Sequence, residues 1–264
     1  MKLSAPIYAL KNQAKNLKKS QSLQMSEALD RIAHQEGFTS WSHLQSKSAE
    51  VFPSRYSEIL DFFNPGDLVL VGARPSYGKT SFTIGLFVQA ISRKRGMNYY
   101  FSLAETHKDV EGRMATYNPS FTDDKNFYTL DYSNEISADY IISKTSGTIT
   151  KNSLIVVDYL QLLDEKRVNP PLQDQIEKLC EYAKSTGCMI AFLSQVAREI
   201  EIKNDRRPTP GDVRLPNPLN LDLFNKMIFL YREKLDSPES EVSFTGRTNH
   251  RLKVGYDCDQ IKFY

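Results

Sequence analysis

The chain has 264 residues, 40% of them apolar and 25% charged, with a formal net charge of +2. That length suits one sizeable core with a small appendage, and the charge permits nucleic-acid contact without demanding it. No apolar run approaches the ~20 residues of a membrane span, and the first residues lack the apolar stretch of a secretory signal, so a cytoplasmic protein with no membrane attachment is expected.

The first 48 residues read as a small helical segment. Apolar residues recur at Tyr8, Leu10, Ala14 and Leu17, then at Met25, Leu29, Ile32 and Ala33, a spacing for two short amphipathic helices. Gly37 stands where a helix would end, and Phe38 and Trp41 can close a cluster on Ile32 and Leu44. Lys11, Lys15, Lys18 and Lys19 give the first helix a basic face, open equally to phosphate or to solvent. Ser46 to Arg55, with Pro53, reads as the connection into a second domain spanning 49–264.

That domain begins with a buried-strand pattern, Leu68 to Gly72, that runs into Gly72-Ala73-Arg74-Pro75-Ser76-Tyr77-Gly78-Lys79-Thr80. A segment ending Gly-Lys-Thr between a strand and a helix reads as a phosphate-binding loop of the G-x-x-x-x-G-K-T kind, here with Ala73 at the first glycine position and Gly72 one residue before it. Its backbone N–H groups can turn toward phosphate oxygens, Lys79 supplies charge to the β- and γ-phosphates, and Thr80 offers a hydroxyl to magnesium. Gly72 through Thr80, with Ser81, are therefore the candidate cofactor-binding residues, for ATP and Mg2+. A helix is expected over Ser81 to Ser92, strands at Asn98 to Leu103, Leu154 to Asp158, Met189 to Ser194 and Lys226 to Tyr231, and a closing hairpin from Glu241 to Tyr264. Helices over Lys108 to Tyr117, capped by Thr106, and over Leu172 to Ser185, ending before Gly187, fill two crossovers. Asn118 to Asp139, rich in Asn, Asp and Ser, reads as a loop or a short irregular crossover. Strand Leu154 to Val157 delivers Asp158 as a second magnesium candidate. Cys180, Cys188 and Cys258 have neither zinc spacing nor an even number, so free buried thiols are expected.

Taken together, the loop and Leu154-Ile155-Val156-Val157-Asp158-Tyr159-Leu160-Gln161-Leu162-Leu163 resemble the two nucleotide motifs of the RecA-like motor domain of DnaB-type replicative helicases. Ala191-Phe192-Leu193-Ser194-Gln195 with Arg198, Arg207-Pro208 through Arg214, and Phe229-Leu230-Tyr231-Arg232-Glu233 resemble later segments of that family. The resemblance covers about residues 52–264. It implies an α/β fold, a RecA-like P-loop NTPase with a central, mostly parallel sheet flanked by helices. It also implies ATP hydrolysis with Mg2+, Gln195 as a γ-phosphate sensor, single-stranded DNA as partner, and a homo-oligomer such as a hexameric ring. The DNA-facing cations would be Lys166 and Arg167 in one loop, and Arg198, Lys203, Arg206, Arg207 and Arg214 in another. These are interspersed with Asp164, Glu165, Glu199, Glu201 and Asp205.

Two departures from the family pattern bear on catalysis. Counting from Ser102 to Arg113 places Ala104 where the family has its catalytic glutamate, with Glu105 one residue later. Glu105 can polarise the attacking water if the chain turns there, or serve only as an acidic residue ahead of a helix. In the last hairpin, Gly246 and Thr248 occupy the positions of the family's two finger residues, leaving Arg247, Arg251 and Lys253 as alternatives. A helicase-like ATPase is the first reading. An accessory nucleotide-binding protein with weak turnover, or a KaiC-like regulatory ATPase, are the others.

Overall fold

The structure is a computed structural model that describes residues 7–21, 23–47, 52–94, 96–164, 169–215, 217–245 and 250–264. It divides into two compact units, Met1–Val51 and Phe52–Tyr264.

The first unit has three helices, α1 (Ile7–Gln21), α2 (Met25–Gln35) and α3 (Trp41–Lys47). Two were expected from periodicity; α3 is one short helix more. Its start is specified by polar contacts that no apolar period reveals. The Asp30 carboxylate accepts the Trp41 N–H at 2.7 Å, and Ser40 Oγ accepts the His43 N–H at 3.1 Å. Gly37, at φ 83°, turns the chain after α2. Leu10, Ala14, Ala28, Ile32, Ala33, Phe38, Trp41 and Leu44 form the small core.

The second unit is built on one nine-stranded sheet. In chain order its strands are β1 (Leu68–Ala73), β2 (Asn98–Ser102), β3 (Tyr128–Asp131), β4 (Leu154–Asp158), β5 (Met189–Gln195), β6 (Lys226–Tyr231), β7 (Glu239–Thr245), β8 (His250–Asp257) and β9 (Lys262–Phe263). Their order across the sheet is β3-β2-β4-β5-β1-β6-β7-β8-β9, parallel from β3 to β6 and antiparallel thereafter. Helices α4 (Lys79–Ser92), α5 (His107–Tyr117), α6 (Ala138–Thr145) and α7 (Leu172–Thr186) lie in the crossovers. This is the mostly parallel, helix-flanked α/β fold that the sequence implied.

Both faces of the parallel strands are covered, and alternate residues serve different cores. Val69, Val71, Tyr100, Val156, Ala191 and Ile228 join α4 in one core. Leu68, Leu70, Tyr99, Phe101, Ile155, Val157 and Phe192 join α6 and α7 in the other. The stretch Asn118 to Asp139, expected as a loop or short irregular crossover, contains β3 and runs into α6. With four residues, of which only Tyr128 is buried, β3 is too short and too exposed to show a period. Of the three thiols expected to be buried, Cys258 is exposed.

At the base of the sheet, Lys226 Nζ donates to Asp67 Oδ2 at 2.6 Å, with both residues at most 3% exposed. The ammonium also sits 4.6 Å from the centre of the Phe62 ring. Removing one partner strands a buried charge, so Asp67→Ala is expected to lower unfolding stability by ~3–5 kcal/mol in a denaturant titration. An Asp67→Leu/Lys226→Met double variant should recover most of that loss, because it leaves no charge to bury. A double variant as unstable as the single one would show that the pair's contribution is packing alone.

Candidate nucleotide-binding site

At the end of β1 the chain turns through residues 74–78, with Ser76 at φ 66° and Gly78 at φ 88°, and enters α4 at Lys79. The left-handed Gly78 is what lets the helix begin two residues before its expected start. The site is thus a helix N-terminus, whose first N–H groups have no intrahelical partner, at the carboxyl end of a central strand.

Lys79 folds back over its own loop. Its Nζ donates to the carbonyls of Ala73 and Arg74, each at 3.0 Å. Burial lowers its ammonium to about 8, and the Asp158 carboxylate pulls it the other way. Thr80 Oγ1 donates to Asp158 Oδ2 at 3.1 Å, so β4 and the start of α4 bring the two magnesium candidates together. Asp158 is buried, which raises its carboxyl, while bonds from Tyr100 and Thr80 work in the opposite direction. Among the described residues no three His, Cys, Asp or Glu side chains form a metal cage. The oxygen donors of Thr80 and Asp158 suit magnesium completed by phosphate and water, and a part-buried lysine ammonium above the loop suits the phosphates.

Glu105 enters the same site. After β2 the chain turns so that Ala104 faces solvent and Glu105 points inward. Arg113, on α5, donates to Glu105 Oε1 at 2.7 Å, whereas Oε2 is buried with no hydrogen-bond partner. Burial raises the carboxyl, Arg113 opposes the rise, and Asp158 adds to it. Thr106 caps α5 as expected, in a reciprocal pairing with Asp109. Gln195 ends β5 beside Ala73 in the parallel register, and its carbonyl accepts the Arg214 N–H at 2.8 Å.

Other candidates are committed elsewhere. A Cβ at Gly72 would lie 2.6 Å from the Phe229 ring, so that glycine serves sheet packing. Ser81 is fully buried, and its hydroxyl donates to the Ile261 carbonyl. Arg74 donates to Tyr77 Oη at 3.2 Å and pairs with Glu201. Pro75 and Ser76 form the exposed tip of the loop, and Tyr77 is buried beneath it. Sequence reasoning missed two supports. Arg232, buried after β6, donates to the Ser76 carbonyl at 2.8 Å and lies 4.0 Å over the Tyr256 ring. Tyr100 reaches Asp158 from β2. An arginine directly after an apolar strand and a tyrosine inside one were the available signals.

The loop cations divide into two groups. Lys203 pairs with Asp212; Arg207 bonds Glu241 at 2.8 Å and Asp205 at 3.2 Å, and stacks over Tyr231; Arg251 lies 3.5 Å from Glu241. Arg198, Arg206 and Arg214 are exposed and form no ion pair among the described residues. Lys166, Arg167, Gly246, Arg247 and Thr248 lie outside the described residues. A separate cavity of about 380 Å³, lined by Arg207, Thr209, Phe224, Met227, Phe244 and Arg251, shares no residue with the phosphate loop.

The model of the DnaB-like helicase C terminal domain matches residues 54–127 and 124–254. The chain belongs to this family. The replicative DNA helicase DnaB of Mycoplasma genitalium is 25% identical over 236 residues, which cover 72% of this chain and 48% of that protein. The chain spans less than half the length of the curated DnaB relatives it matches. Solved structures that share the fold include the following two. A DnaB-like replicative helicase, described with its interactions with primase, aligns at TM-score 0.66 with 18% identity, over 97% of this chain and 75% of its own. A KaiC-like protein from Pyrococcus horikoshii OT3 aligns at 0.53 with 15% identity, over 76% and 90%. The DnaB-like fold is therefore RecA-like. No helix of the described residues is long and apolar enough to cross a membrane.

Proposed function

We propose that residues 52–264 form an ATP- and Mg2+-dependent ATPase that acts on single-stranded DNA, as one subunit of a homo-oligomeric ring, in DNA replication or a related DNA transaction. The observation that carries this reading is the convergence of the Lys79 ammonium and the Thr80–Asp158 pair on one loop, with the buried, unpaired Oε2 of Glu105 on a carboxylate that feels the Asp158 charge. In this reading Lys79 leaves its carbonyls for the β- and γ-phosphates. Thr80 and Asp158 hold magnesium, which when bound neutralises charge on the phosphate oxygens. Glu105, positioned by Arg113, accepts a proton from water through Oε2, and Gln195 senses the γ-phosphate from the neighbouring strand.

Arg198, Arg206 and Arg214 are the residues proposed to meet DNA phosphates, because among the described residues they form no ion pair. Lys203 and Arg207 would first have to leave theirs. The accessory reading draws on Arg251, which faces Glu241 and so is held within its own subunit. Steady-state ATP hydrolysis, measured with and without single-stranded DNA over a salt series, tests the choice. DNA stimulation that salt removes is expected, and Arg198→Gln/Arg206→Gln should flatten the log–log salt slope of DNA binding by roughly 0.7 per lost contact. Nucleotide binding with background turnover at every DNA concentration would establish the accessory reading instead.

A further inference from the structure

Tyr100 belongs to no motif, yet it reaches the centre of the site. On β2 it stands opposite Val156 and is fully buried, its ring edge-to-face on Phe87 at 5.5 Å. A buried tyrosine hydroxyl needs a partner. This one donates to Asp158 Oδ2 at 3.1 Å, the same oxygen that accepts the Thr80 hydroxyl at 3.1 Å. No hydrogen bond to Asp158 Oδ1 is formed among the described residues.

The two donors differ in what else they must do. Thr80 lies on the first turn of α4, where its oxygen is a candidate ligand, and its side chain can rotate. Tyr100 is not itself a candidate ligand; its hydroxyl also pairs with the Thr83 side chain on α4, and its ring is fixed by the sheet on one side and by Phe87 on the other. A carboxylate at the end of a buried strand, held by one adjustable donor, would be free to turn about its last bond. Two donors on a single oxygen fix which oxygen faces inward and which faces out.

We propose that Tyr100 is a positioning residue for the divalent cation: its hydroxyl holds Asp158 so that Oδ1 is presented to the metal's water shell beside Thr80. The inference rests on the nucleotide-site reading above. Partners that orient a metal-holding group typically change metal affinity 10- to 100-fold when removed.

The test is Tyr100→Phe, which keeps the ring against Phe87 and deletes only the hydroxyl. MgCl2 is titrated into wild type and variant in the presence of a fluorescent, slowly hydrolysed ATP analogue. A parallel titration of the analogue is made in chelator, without metal. The half-saturating Mg2+ concentration should rise about tenfold or more in the variant, while metal-free analogue binding stays within about twofold of wild type. An unchanged Mg2+ midpoint would overturn the inference and leave the nucleotide site standing. Equal loss of metal-free binding would also overturn it, because a hydroxyl that merely supports the fold would have that effect. Failure of the wild type to bind the analogue in either condition would remove the nucleotide-site reading itself, and this inference with it.

Discussion

Glu105→Gln is expected to bind nucleotide as the wild type does while turning it over ~10²–10⁴-fold more slowly, the usual range for a lost general base. Glutamine keeps the shape of the side chain, and its carbonyl can still accept from Arg113, so the turn after β2 survives. What it lacks is a basic oxygen where Oε2 now sits buried and unpaired. That vacancy in the hydrogen-bonding pattern is the reason to prefer a catalytic role. A carboxylate placed only to complement the start of α5 would be exposed, and its loss would cost ~0.3–1 kcal/mol of stability with no change in turnover. Single-turnover hydrolysis beside equilibrium nucleotide binding separates the two. Because burial raises this carboxyl, the acid limb of the turnover profile should lie above the ordinary glutamate value of 4.5.

Lys79→Ala is expected to weaken ATP binding by ~10²–10⁴, from the loss of two charge-assisted bonds of ~1.5–3 kcal/mol each. Its apo form should melt no lower than wild type. The reason is the sign of the shift. Burial lowers the folded ammonium from 10.5 to about 8, so folding disfavours the charged form, and deleting the side chain removes that cost. Phosphate binding reverses the balance by giving the charge partners. Between pH 8 and 10.5, nucleotide binding by wild type must therefore take up a proton, and affinity should fall by up to about tenfold per pH unit. The variant should show no such slope. Equal pH dependence in both proteins would assign the effect to another group.

The parts that were legible in the sequence were those fixed by local chemistry. A glycine-rich turn ending in Gly78-Lys79-Thr80 and five apolar strands declare themselves through backbone need and side-chain period. The same holds for Thr106 as a cap, whose Asp109 partner is three residues away. Contacts across distant segments were less accessible. The commitment of Ser81 to Ile261 spans 180 residues, and that of Arg232 to Ser76 spans 156. The direction taken by Glu105 depends on how one turn folds, which no count from Ser102 can determine. Strand β3 escaped because four half-covered residues carry no period.

The alternation along β2 has a consequence for how this site tolerates change. Tyr99, Tyr100 and Phe101 are three aromatic side chains in a row, and each core receives a ring whichever way the strand is seated. Packing alone would thus accept a slide of one place almost without complaint. The slide would point Phe101 or Tyr99 toward α4 and move Glu105 along with them. Asp158 would then be offered either a ring with no hydroxyl or one from the wrong rung, and the sheet could remain whole while its edge lost its address for the metal. The hydroxyl on the middle ring of the three acts as a registration mark, stating in hydrogen bonds what hydrophobicity leaves ambiguous.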